Sequence, residues 1–169
     1  MRARTGEIWR LAAAMMAIAL AAPACAAETP SEDNVRVQSV EVVASALGAV
    51  VLLKVDNKAI PVFVDQTVAA SIHAALTRSK LPRPLSHDLM HSILESYGGK
   101  VTQVVVTLRE ATFYGALSID LGGEAKVFDA RSSDAIALAI HFSAPILVGR
   151  SLLESAGREL GDPPGSQRL

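Results

Sequence analysis

Between Val35 and Ala156 the chain twice runs three strand-like segments into one apolar helix, and that repeated order limits the folds open to it. The first set covers 35–44, 49–55 and 59–64, rich in valine, with turn signals at Gly48 and at Asp56-Asn57. A helix over 67–78 follows, with Val68, Ile72, Ala75 and Leu76 on one face. The second set covers 100–108, 112–121 and 124–130, with Gly122-Gly123 as a two-residue hairpin signal, and leads into a helix over 133–142. Val62, Ala69, Ile72 and Ala75 close the first set at the same offset as Phe128, Ala135, Leu138 and His141 close the second. The expectation is an α+β domain of duplicated strand-strand-strand-helix units, with antiparallel sheets covered by helices.

Leu81-Pro-Arg-Pro84 cannot continue the first helix, because its two prolines lack amide donors and fix the backbone. The spacing then predicts a helix over 86–97, with Ser86 as its N-cap, Leu85 stapled onto Met90 and Gly98-Gly99 as its end. Its expected buried face is Leu89, Met90, Ile93, Leu94 and Tyr97. A short strand over 146–148 and a short helix over 152–156 close the domain, which is expected to span 35–157. The tail, 158–169, is expected to be disordered, since it is rich in polar residues, Pro and Gly.

The first 26 residues have the composition of a secretory signal peptide: Arg2, Arg4 and Arg10, then the apolar run Leu11–Leu20, then small residues up to a cleavage site after Ala26. That run is too short for a membrane span, so none is expected in the mature chain. The expected location is periplasmic or secreted. A lipoprotein anchored through Cys25 is the rival reading, but Ala22 stands where a lipobox usually has leucine. With one cysteine in the chain no internal disulfide can form. Removing three Arg and Glu7 from 16 basic and 17 acidic residues leaves 13 and 16, a net charge of −3. That balance argues against a non-specific nucleic-acid coat.

Four ordered segments resemble the bifunctional nuclease domain family: Pro82–Met90, Thr112–Ala116, Phe128–Ala139 and Ala144–Ile146. The resemblance covers roughly 35–157 and implies cleavage of DNA and RNA. Two positions depart from the family pattern. Ser132 replaces a proline in the Asp-Ala-Arg-x-Ser-Asp run, and Val68-Ala69 stands where relatives often begin the first helix with Glu-Ala.

Phosphodiester hydrolysis needs an activated water and countercharge on phosphate. Asp129 and Asp134 flank the second strand-to-helix turn and are the candidate ligands of a divalent cation, Mg²⁺ or Mn²⁺. Arg131, between them, is the candidate phosphate grip, with His87 and Asp88 as further catalytic candidates. The competing reading is structural: Ser132 or Ser133 caps the helix, Asp134 complements its dipole and Arg131 pairs with a neighbouring acid. His91 lies one turn from His87 and could pair with it on a transition metal, with no third ligand evident; His73 and His141 are expected as partly buried packing residues. Arg78, Lys80 and Arg83 form a basic cluster suited to substrate phosphates, or to an ordinary solvated linker. Tyr97, Phe113 and Tyr114 could stack on bases, or pack as core. The expectation is therefore a nuclease-like domain that hydrolyses phosphodiester bonds of DNA and RNA with a divalent cation, with nucleic acid and a second copy of the chain as its partners; the alternative is a non-catalytic secreted binding or scaffold domain.

Overall fold

The computed structural model describes residues 33–160, so residues 1–32, where the signal peptide is expected, and residues 161–169 lie outside the described residues. The first half of the chain builds β1 (Asn34–Arg36), β2 (Ser39–Ser45), β3 (Gly48–Val55), β4 (Lys58–Val64) and α1 (Gln66–Thr77). After the proline loop come α2 (Ser86–Ser96), β5 (Gly99–Arg109), β6 (Thr112–Leu121), β7 (Glu124–Arg131) and α3 (Ser132–His141). The domain closes with β8 (Ile146–Gly149), α4 (Arg150–Ala156) and β9 (Arg158–Glu159).

The expected duplication is there: β2-β3-β4-α1 and β5-β6-β7-α3 are each an antiparallel meander followed by a helix. One sheet has the order β2-β3-β4-β9 and the other β1-β8-β5-β6-β7, in which β5 and β8 alone run parallel. The hairpins follow their turn residues. Gly122 and Gly123 both have positive φ, and Asp56 takes a left-handed conformation at the β3–β4 turn.

The run 35–44 is two strands in different sheets. The Val37 N–H bonds Ile146 O at 2.9 Å, and the next residue's N–H, that of Gln38, bonds Lys54 O at 2.9 Å. The tail also differs from expectation: Arg158–Glu159 pair with Lys58 and Ala59, so ordered structure runs past Gly157.

Both halves share one core. Val51, Leu53, Ile60 and Ile72 meet Val104, Val106, Ile136 and Val148, all fully buried. α1 and α3 pack against each other, and α3 presses closely on β6. A Cβ built on Gly115 would stand 2.6 Å from Ala135 Cβ, so only glycine admits the helix at this distance.

The helix α2 corrects the sequence reading. Its one buried residue is His87, while Leu89, Met90, Ile93 and Tyr97 are exposed, Tyr97 at 78%. Its N-cap is Leu85, extended at φ −81 and ψ 174, which moves Ser86 into the first turn of the helix. Asp88 does the capping work there by accepting the Leu85 N–H at 2.8 Å. Among the described residues no helix is long and apolar enough to cross a membrane.

Candidate functional site

The first turns of α1, α2 and α3 converge on one pocket of ≈ 310 Å³. Its lining includes Asp65 and Val68 from the first, His87 and Met90 from the second, and Arg131 and Asp134 at the third. Helix starts expose unpaired N–H groups and a positive partial charge. Each is met here by a carboxylate. Asp65 accepts the Val68 N–H at 3.0 Å, Asp88 serves α2, and Asp134 lies in the first turn of α3.

Arg131 is the N-cap residue of α3 and gives it no side-chain cap; Ser132 begins the helix and is buried. The Arg131 side chain instead clamps Asp134, Nε to Oδ2 at 2.7 Å and Nη2 to Oδ1 at 3.0 Å. His87 Nε2 meets the same Oδ1 at 3.3 Å, and the His87 side chain is 7% exposed against 69% for Arg131. Burial pushes the Asp134 carboxyl up, but the hydrogen bonds and charge of Arg131, then of His87, outweigh it and hold it below the ordinary carboxylate range. The bond to Asp134 and its charge in turn hold Arg131 protonated above the ordinary arginine value.

The candidate residues are only partly brought together. Asp129 pairs with Ala116 across the β6–β7 ladder, whereas Gly115, which faces α3, pairs with Ala130. Alternation along the strand therefore points Asp129 away from the face that carries α3 and Asp134. Both oxygens of Asp134 already serve Arg131 and His87. Among the described residues no group of three or more His, Asp or Glu is placed to hold a metal. The donor set does not fit a cation held between Asp129 and Asp134. His91 does not join His87 on a shared ligand either, since its Nε2 lies 3.6 Å from Glu95 and its ring packs on Phe142 at 4.4 Å.

Asp88 reaches toward His141, whose Nδ1 lies 3.9 Å away. His141 is partly buried, as expected, and its Nε2 lies 3.1 Å from Ser71 Oγ, itself fully buried. Burial pushes the His141 imidazole below its ordinary value, Asp88 opposes this, and His91 and His87 add to it. His73 is exposed rather than packed. Arg78 lies at the C-cap of α1, the far end from the pocket, and Lys80 and Arg83 follow in the exposed loop toward α2. Of the aromatics, Phe113 packs against the core, Tyr97 is exposed, and Tyr114 lies under Arg109 at 5.8 Å.

Asp65 is the pocket residue that the sequence reading passed over. The repeat offset would have found it, because 66 residues separate Asp65 from Arg131 and Val68 from Asp134. The two halves thus contribute matching positions with unlike chemistry, an acid facing a base and a valine facing an acid.

These features define an α+β domain of two like halves with a polar pocket where their helices begin. The chain belongs to the bifunctional nuclease domain family, whose model matches residues 50–161. It is similar to an uncharacterized protein of Mycobacterium tuberculosis, 33% identical over 132 residues, 76% of this chain and 79% of that one. It is also similar to bifunctional nuclease 2 of Arabidopsis thaliana, 30% identical over 107 residues, 61% of this chain but 32% of the plant protein. Bifunctional nuclease 1 of Oryza sativa subsp. japonica is 28% identical over 112 residues, 34% of its own length.

Proposed function

We propose that this domain hydrolyses phosphodiester bonds of DNA and RNA at the pocket where α1, α2 and α3 begin. The observation that carries the reading is the hydrogen-bonded series His87–Asp134–Arg131 at a solvent-open pocket. Asp134 occupies Nε and one Nη2 proton of Arg131, which leaves the remaining guanidinium donors for the non-bridging oxygens of a phosphate. In the tautomer that donates Nε2–H to Asp134, the Nδ1 of His87 is the ring atom that would accept a proton from an attacking water. Water attacks phosphorus, the P–O ester bond breaks, and the leaving oxygen takes its proton from solvent. No step runs through a metal. We likewise propose that the mature chain is periplasmic or secreted and pairs as a homodimer.

The test is degradation of single-stranded DNA and RNA by wild type, His87→Gln, Arg131→Ala and Asp134→Asn, with Mg²⁺, with Mn²⁺ and with chelator. Wild-type activity that persists in chelator and falls about 10²-fold or more in His87→Gln supports the assignment. Equal degradation by wild type and Asp134→Asn rejects it. Binding without degradation favours the second reading, a non-catalytic module, for which the buried Val68 opposite Asp134 and the added acid Asp65 both speak.

A further inference from the structure

A second cleft, of ≈ 440 Å³, lies at the other end of the α1–α3 pair. Arg36 reaches it from the end of β1 and Arg78 from the C-cap of α1. Among the described residues neither guanidinium has a hydrogen-bond or ion-pair partner, and no acid lines the cleft. The pocket at the helix starts differs in both respects, because its arginine is clamped and two carboxylates line it. Ser39 and Ser143 add hydroxyls, and Leu76, 41% exposed, forms an apolar wall with Ile146 beneath.

We propose that this cleft is a second binding site, which takes the phosphate of a nucleotide between Arg36 and Arg78 and its sugar and base against Leu76. Two forked cations with no competing acid suit a phosphate monoester dianion better than a single carboxylate. The volume falls in the range of small-ligand sites, about 300–1,000 Å³, and the serine hydroxyls can meet ribose or base edges. The twelve residues of α1 separate the cleft from the Arg131 pocket by roughly 18 Å, so one mononucleotide cannot reach both. The proposal does not rest on cleavage at Arg131.

Arg78 offers a clean variant. Its φ is +54, a conformation in which glycine is relaxed and arginine is not, so Arg78→Gly removes the cation without loosening the fold. The experiment is calorimetric titration of the protein with AMP, adenosine and inorganic phosphate at low salt, beside thermal melts. AMP should bind at least tenfold more tightly than either adenosine or phosphate. Arg36→Ser and Arg78→Gly should each weaken AMP at least tenfold, with the Arg78→Gly melting point unchanged or raised, while Arg131→Ala keeps wild-type affinity. No AMP binding at millimolar concentration overturns the proposal. So does equal binding of adenosine or of inorganic phosphate, unchanged affinity in Arg78→Gly, or loss of AMP in Arg131→Ala, which would put the nucleotide in the other pocket.

Discussion

Replacing Gly115 by alanine tests the contact that sets the height of α3 above its sheet. The added Cβ would lie 2.6 Å from Ala135 Cβ, 3.2 Å from Ser132 Cα and 3.3 Å from Arg131 O. Carbon pairs prefer about 3.5–4.0 Å, so the start of α3 must lift by about 1 Å. Two of the three crowded atoms are backbone, which no rotamer change can move. Overpacking of this kind costs about 1–3 kcal/mol, the upper half being expected where backbone must shift. For a domain of this size that lowers Tm by roughly 5–12 °C. Ala135→Gly alone should cost about 1 kcal/mol through helix propensity. Combined, the two changes should cost less than their sum by about 1 kcal/mol or more, because the second removes the atom that the first strikes. The assay is urea unfolding of wild type, both single variants and the double. A neutral Gly115→Ala, or strictly additive costs, would refute the close approach.

Ser71→Ala removes the hydroxyl beside His141 Nε2 and leaves a partly buried ring nitrogen unpaired; a loss of about 1–2 kcal/mol by urea unfolding is expected. His141 has a folded-state pKa below its unfolded value, so its contribution is present above pH ~6.5 and is lost as pH falls through the folded pKa. Wild-type Tm should therefore drop on acidification below that point, and His141→Gln should flatten the drop. Asp134 is also depressed, so the stability gap between wild type and Asp134→Asn should be open at neutral pH and close as pH falls below about 4. Ala111→Gly relieves a φ of +62 in the β5–β6 turn and should raise stability by about 0.5–1 kcal/mol in the same unfolding assay.

The strands and helices were legible because valine-rich runs ended at residues that suit left-handed turns, such as Gly122-Gly123 and Asp56. The duplication was legible because matching apolar positions recur at a fixed offset. Burial was less so. The apolar face of α2 looked like core, yet periodicity reports only that a helix is two-sided, and here the side that docks is carried by His87. The Asp129–Asp134 pair failed for a related reason: closeness in sequence hid the strand pleat, which turns Asp129 to the other face. Arg131 and Asp134 were found because they share one turn of chain. Asp65 and Ser71 acquire partners or a role through contact between the halves, which no local pattern displays.

The strand exchange on either side of the two repeats bears on how they can come apart. β1, which precedes the first repeat, completes the sheet of the second through β8, and β9, which follows the second repeat, extends the sheet of the first through β4. Each repeat is thus edged by a strand from the far side of the other repeat. Neither can be excised as a free-standing half without unzipping an edge of the other. The domain is accordingly one cooperative unit despite its internal symmetry, and its two repeats should melt together in a single transition.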